Sequence, residues 1–178
     1  MLYPAPLRDL LIELAMTGLF RAKWTDDIHE EWIRSVLKHR ADLTRAKLER
    51  TRDLMNSAVL DCLVRDYGSL IPAVQLPDPD DRHVLAAAIK ARADAIITFN
   101  AKDFPEAETS KYDIEIQHPD EFILHQFGLD NAKVVIAARN CRERLKKPRR
   151  SADEYLETLE AQSLPLTVAE LRPYAAVI

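Results

Sequence analysis

The clearest succession of helix and strand lies in residues 76–105, LPDPDDRHVLAAAIKARADAIITFNAKDFP. Apolar residues recur there at helical spacing, so one face of an Ala-rich helix can pack on a sheet. We expect Asp80 or Asp81 to cap the start of this helix, and residues 91–93 to end it. The apolar face is formed by Val84, Leu85, Ala88 and Ile89.

A short apolar run, residues 95–97, follows this helix. A continuous apolar run of this length is typical of a parallel strand that is covered on both faces. Three polar residues come just beyond it, and a doubly wound sheet binds its ligands at this position, the carboxyl ends of its strands. The sequence therefore predicts a site that includes Thr98, Asn100 and Asp103.

Strands and helices alternate through residue 127, which favours a parallel α/β sheet. Period-two patterns predict the strands, while 3.6-residue spacing and capping residues predict the helices. Besides residues 95–97, strands are predicted at 20–24, 60–64 and 113–117, helices at 7–14, 25–37, 43–58 and from Pro119 onward, and turns at 1–6 and 67–74.

The chain changes character after Gly128, because only helical patterns follow. Ser151 with Glu154, and Thr167 with Glu170, match the capping-box pattern that starts a helix. We therefore predict two domains, an α/β domain at residues 1–127 and a helical extension at 128–178. The predicted helices of the extension are 131–145, 151–162 and 167–176.

Two motifs follow each other within residues 76–105, DDRHVLAAA and TFNAKDF. Together they resemble the PIN-domain nucleases, especially the toxin ribonucleases of toxin–antitoxin pairs, in which an acidic residue opens an Ala-rich helix and a TxN/DxxDF loop follows the next strand. The resemblance implies a PIN-like three-layer α/β fold, with a central parallel sheet flanked by helices and a C-terminal helical extension. It also implies a Mg²⁺-dependent endoribonuclease, with Mn²⁺ as an alternative ion, that cleaves RNA, binds a cognate antitoxin protein and forms a homo-oligomer.

The resemblance assigns the catalytic metal ligands to Glu31, Asp81 and Asp103. Carboxylates that gather without a cation repel each other, so such a set is best explained by a hard divalent ion. Glu31 precedes Trp32, as an active-site acid precedes a large apolar residue in the resembled family, and the alternative is a solvated glutamate. Asp81 corresponds to the acid that opens the helix, and a shift to Asp80 stays open. The residues expected to support the ligands or the substrate are Asp78, Asp80, Thr98 and Asn100.

The resemblance covers roughly residues 2–127 and begins after the family's first strand and the acid that ends it. We therefore expect one of four ligands to be absent, and protein of this sequence to cleave RNA weakly or not at all. Two alternatives to an active ribonuclease stay open. One is a catalytically impaired PIN-fold remnant that binds an antitoxin or RNA without cleavage, and the other is a metal-free scaffold whose acidic loop only caps a helix.

A basic run at residues 139–150 holds seven Arg or Lys and one acid, Glu143, in a chain whose net charge is −4. Such a run can bind phosphates, bind an antitoxin or keep a surface helix solvated. The candidate RNA or partner contacts in it are Arg142, Lys146 and Arg149.

Composition excludes several classes of protein. The chain has 3 Gly in 178 residues and no GxGxxG, GxxxxGKS or GxxxxGKT motif, which argues against enzymes with nucleotide-binding loops. No apolar run approaches the length of a membrane span and the N-terminus lacks a signal-peptide pattern, so we expect a cytoplasmic protein without a membrane partner. Cys62 and Cys141 lack metal-ligand spacing and are predicted to be buried or idle thiols.

Overall fold

The computed structural model describes residues 5–178, so residues 1–4 of the predicted first turn lie outside the described residues. The described chain forms two compact units. The first unit is Ala22–His118, and the second joins residues 5–21 to Pro119–Ile178. The predicted boundary after residue 127 does not coincide with this division, because the first helix and the helix that starts at Pro119 pack with the helices of the tail.

The first unit contains a parallel pair of strands, as predicted. Strand β1 is Ala95–Ile97 and strand β2 is Glu115–Gln117, with Ile96 opposite Ile116. The helices of this unit are α2 (Asp26–His39), α3 (Arg45–Ala58), α4 (Arg82–Ala91) and the short α5 (Glu106–Thr109).

The predicted strands at residues 20–24 and 60–64 are wrong. In the described chain they are reduced to one parallel bridge between Trp24 and Leu63, made by the Trp24 amide to the Cys62 carbonyl (2.9 Å) and the Val64 amide to the Trp24 carbonyl (2.8 Å). Pairing stops there because Thr25 already caps α2, as predicted. The described sheet therefore has two strands, and a three-layer arrangement stays a prediction.

The expectation about the start of α4 is also corrected. Neither Asp80 nor Asp81 caps α4 with its side chain; Asp78 instead accepts the Asp80 amide and starts a 3₁₀ turn that leads into the helix. In α3, Met55 is buried, while Leu54 is 62% exposed. The predicted end of α4 is confirmed, because Arg92 adopts a left-handed conformation directly after Ala91.

One hydrophobic core of the first unit lies between α4 and the strands. Leu85 is fully buried and Ile96 is nearly so. Burying such side chains contributes about 1.5–3 kcal/mol each to folding. The other buried members of this cluster are Val74, Leu76, Ala86, Ala88, Phe104 and Ile114.

The second unit is helical, with helices α1 (Ala5–Met16), α6 (Pro119–Leu129), α7 (Asn131–Arg144), α8 (Ala152–Glu160) and α9 (Pro165–Leu171). The leucines at helical spacing in α1 are all buried, as predicted. They pack with buried residues of α6 to α9 in a single cluster. Within residues 5–178, no helix is long and apolar enough to cross a membrane.

The predicted capping box of α8 is confirmed, whereas the one expected at Thr167 is wrong. The Ser151 hydroxyl accepts the Glu154 amide, and the Glu154 carboxylate accepts the Ser151 amide. Helix α9 begins earlier, at Pro165, and the buried Asp120 carboxylate of α6 accepts its free amides from Leu166 (2.8 Å) and Thr167 (2.7 Å).

Candidate active site

The acidic loop before α4 places three carboxylates in different roles. Asp78 accepts the Asp80 amide at 2.9 Å and so holds the turn Pro79–Asp81. Asp80 lies exposed on this turn. Asp81 is half-buried at the last position before α4, where its carboxylate makes no capping bond. Asp81 is therefore a half-buried carboxylate that the local backbone does not use, whereas Asp80 is exposed to solvent.

Negative charge is crowded around Asp81. Burial raises the pKa of the Asp81 carboxyl above its ordinary value, and the charges of Asp103, Asp78 and Glu31 raise it further, against a smaller opposing effect of His83. These groups come from α2, the loop before α4 and the loop after β1. In the first unit, the charges of two predicted ligands, Glu31 and Asp103, thus act on the carboxyl group of the third, Asp81.

The loop after β1 is held by its own polar side chains. The Thr98 hydroxyl accepts the Asn100 amide at 3.1 Å, and the Asn100 side-chain amide donates to the Asp103 carboxylate. The Thr98 amide donates to the Gln117 carbonyl at 3.0 Å, which ties the loop to the end of β2. Phe104 anchors the far side of the loop in the core. Thr98 and Asn100 therefore shape the loop that presents Asp103.

Glu31 is bound by a histidine, His83, that is not among the predicted site residues. The His83 Nε2 and a Glu31 carboxylate oxygen lie 2.7 Å apart, which joins α4 to α2. Burial alone would lower the pKa of His83, but the hydrogen bond to Glu31 and the charges of Glu31, Asp27 and Asp81 outweigh it and raise the pKa above 6.5. A histidine two residues after the helix-opening acid in DDRH was the available signal.

The donor set has the chemistry of a site for a hard divalent cation. Carboxylate oxygens are the ligands such ions prefer, and a cation would relieve the repulsion that raises the pKa of Asp81. Within residues 5–178, no three His, Cys, Asp or Glu side chains form a group that could hold a metal ion as they are placed. The chemistry of these carboxylates therefore fits such an ion. That Glu31, Asp81 and Asp103 coordinate one ion together stays a prediction.

The basic run lies in the second unit and its members differ in role. Arg142 is hydrogen-bonded to the backbone, since its guanidinium donates to the carbonyls of Ile178 (2.8 Å) and Arg150 (3.0 Å). Lys146 and Arg149 are exposed and flank the turn between α7 and α8. An open depression of about 520 Å³ is lined here by Arg144, Leu145, Lys146, Lys147, Pro148 and Arg150.

The chain is similar to known protein families and to a named protein. Residues 2–102 match the family described as "PIN domain", and residues 119–173 match the family described as "VapC50 C-terminal domain". A Mycobacterium tuberculosis (H37Rv) protein named "Putative ribonuclease VapC50" is 51% identical over 72 residues, which are 39% of this chain and 42% of that protein. No solved structure matches the chain. The PIN-domain match covers more than half of the residues of this chain, so the chain belongs to the PIN-domain family and is VapC-like.

Proposed function

We propose that this chain is a divalent-metal-dependent endoribonuclease that acts as the toxin of a toxin–antitoxin pair. The observation that supports it most directly is the crowding of Asp103, Asp78 and Glu31 charges on the half-buried Asp81. Crowded carboxylates are costly for a fold unless a cation is bound there, and half-burial makes the cost larger. The matched relative is named a ribonuclease, and this supports RNA as the substrate of the site.

In this proposal the three carboxylates of Glu31, Asp81 and Asp103 hold the ion, with Mg²⁺ as the expected metal and Mn²⁺ as the alternative. A bound ion of this kind supplies a water of lowered pKa and stabilises charge on the phosphate oxygens. The hydrogen bond to His83 holds the Glu31 carboxylate toward α4. The hydrogen bond from the Asn100 side chain holds the Asp103 carboxylate within its loop. Support of this kind from a second layer of residues keeps ligands oriented.

The partners follow from the same proposal. RNA is the substrate, and a cognate antitoxin protein is the partner that restrains it. The match to the named ribonuclease spans 42% of that protein, so its activity is carried over here only as part of the proposal. Assembly into a homo-oligomer stays a prediction.

The decisive experiment is RNA cleavage in the presence of MgCl₂, of MnCl₂ and of EDTA, with wild-type protein and the Asp81→Asn variant. With one of the family's four ligands absent, we expect weak cleavage that needs the metal and is lost in Asp81→Asn. Asp94→Asn is the matched control, because Asp94 is an exposed aspartate just before the opposite, amino end of β1. Cleavage that survives in Asp81→Asn would refute the assigned site. RNA binding without any cleavage in wild-type protein would favour the non-cleaving PIN-fold alternative.

A further inference from the structure

We propose that Phe99, supported by His118, is a stacking surface for a base of single-stranded RNA beside the candidate active site. This inference rests on the proposed function, because it names how that site would hold its substrate. Phe99 is the second residue of the TFNAKDF loop and is 40% exposed. The sequence motif alone assigns Phe99 no role.

The exposure of Phe99 is imposed by the loop that carries it. The Thr98 hydroxyl accepts the amide of Asn100, so the residues on either side of Phe99 are joined around it. Thr98 is also tied to the Gln117 carbonyl, and Phe104 is buried at the far end of the same loop. The aromatic ring is therefore held at the surface by a constrained backbone, which is what a preformed contact for a ligand requires.

His118 supports the ring without covering it. The two ring centroids lie 5.1 Å apart and the ring planes make an angle of 75°, an edge-to-face contact. In such a pair the edge of one ring meets one face of the other, so at least one face of Phe99 is left uncovered by His118. A flat, supported and accessible aromatic face is the part that nucleobases stack on in proteins that bind single strands.

The position of the pair links it to the candidate metal ligands. Strands β1 and β2 are parallel, and Phe99 and His118 both follow the carboxyl ends of these strands. Asp103 belongs to the same loop as Phe99, four residues further on. A base stacked on Phe99 would therefore place its own backbone at the end of the sheet where the carboxylates lie.

Charge in the same loop favours a nucleic acid over an apolar segment of a protein. Lys102 is exposed and, within residues 5–178, forms no described ion pair, so its ammonium can approach a phosphate. Stacking by one aromatic residue together with nearby cations is the usual combination for single strands, and it tolerates different bases because every base has a π face. The occupant that we infer is a nucleotide of single-stranded RNA.

The test uses short single-stranded RNAs that carry 2-aminopurine at successive positions, mixed with the protein in EDTA so that binding is observed without cleavage. We expect quenching at one position with wild-type protein, since stacking quenches this base. Phe99→Leu should lose the quenching and bind RNA roughly 5- to 150-fold more weakly, the range that loss of one stacked base gives. Phe99→Trp should retain both signals. Tyr112→Leu is the matched control, because Tyr112 is a partly exposed aromatic residue before the amino end of β2.

The outcomes separate this inference from the proposed function. Equal affinity and equal quenching in wild type and Phe99→Leu would overturn the stacking role and leave Phe99 as a contact for a protein. Metal-dependent cleavage that is lost in Asp81→Asn, with an unchanged KM in Phe99→Leu, would overturn the stacking role and support the ribonuclease proposal. Position-specific quenching that depends on Phe99, in a wild-type protein that cleaves no RNA with metal, would support stacking and overturn the ribonuclease proposal.

Discussion

The contact between Glu31 and His83 shows how a single hydrogen bond can prepare the candidate site. The Glu31 side chain is 45% exposed while that of His83 is 11% exposed, so the histidine is the fixed partner and the glutamate the one that is held. Without His83, Glu31 would sample several rotamers on the surface of α2, and binding an ion would have to order it. Such ordering costs up to about 2 kcal/mol of side-chain conformational entropy.

We predict that His83→Ala lowers kcat/KM for RNA cleavage by roughly 10- to 100-fold, the usual cost of removing a group that orients a ligand. His83→Gln should retain part of the activity, because its amide can still donate to Glu31. Initial cleavage rates over a range of RNA concentrations measure this. His39→Ala, at an exposed histidine at the end of α2, is the control. Unchanged rates in His83→Ala would show that Glu31 needs no support or has no part in cleavage.

A second histidine, His29, is buried in a network of neutral groups. Trp32 Nε1 donates to His29 Nδ1 at 2.9 Å, which assigns the proton of the neutral ring to Nε2, and Nε2 donates to Asn56 Oδ1 at 2.9 Å. Trp24 Nε1 donates to the same Asn56 oxygen at 2.8 Å. Burial lowers the pKa of His29 below 6.5, against the effect of its bond to Asn56. A proton added to Nδ1 would also face the Trp32 donor.

The lowered pKa of His29 predicts a loss of stability in acid. The unfolded chain protonates this histidine at about its ordinary pKa while the folded state keeps it neutral, so the contribution is present above about pH 6.5 and is lost as the pH falls through the folded-state pKa. We expect His29→Gln to cost about 1–3 kcal/mol of unfolding free energy near neutral pH and less at about pH 5. Urea unfolding of both proteins at the two pH values measures the difference, and an equal gap at both would contradict it.

At the scale of elements, side chains from elsewhere decide where some helices start. Ser151 and Glu154 satisfy the first amides of α8 from within its own sequence, so the local pattern was sufficient. Thr167 and Glu170 carry the same pattern, but Asp120 of α6 already accepts two amides at the start of α9. An ionised, buried acceptor makes stronger hydrogen bonds than a hydroxyl, so the tertiary cap displaced the local one.

These two glutamates give a matched pair of substitutions. We predict that Glu154→Ala lowers the free energy of unfolding by about 0.5–1 kcal/mol, because it removes the acceptor of the Ser151 amide. Glu170→Ala should change it by less than about 0.5 kcal/mol, as is usual for an exposed side chain without such a role. Chemical denaturation at neutral pH measures both. A larger loss in Glu170→Ala than in Glu154→Ala would contradict this assignment of caps.

At the scale of the whole molecule, the chain combines a net charge of −4 with a local concentration of positive charge. The turn between α7 and α8 exposes Lys146, Lys147 and Arg149. Arg144 is paired with the buried Glu13 at 2.5 Å and Arg142 is bonded to backbone carbonyls, so both hold the turn in place. Local charge of this kind can bind RNA even though the protein as a whole is acidic.

We predict that reversing Lys146 and Arg149 to Glu weakens RNA binding, and that it lowers the dependence of affinity on salt concentration. The slope of log affinity against log salt should fall by about 0.7 for each phosphate of a single strand that the variant no longer neutralises. Fluorescence anisotropy at several salt concentrations measures this. Reversal of Lys90 and Lys111, two exposed lysines of the first unit, keeps the same net charge change as a control. Equal losses of affinity in both double variants would assign the effect to net charge alone.

Most of the candidate site residues were selected from the sequence because their signals are local. The motifs around Asp81 and Asp103 each lie within a few residues of a helix start or a strand end, and the helix and strand that carry them have strong periodic patterns. His83 could not be assigned in the same way. Its role depends on Glu31, which lies 52 residues away in the sequence, and on the packing that brings α2 to α4.

The sequence by itself determined the helices with clear caps and two strands of a parallel sheet, at residues 95–97 and 113–117. Only the tertiary structure decided that residues 20–24 and 60–64 form one bridge and that Asp120 starts α9. The physical reason is range. Helix periodicity and caps act between residues three or four apart, whereas strand pairing and buried acceptors depend on partners that only the folded chain brings close.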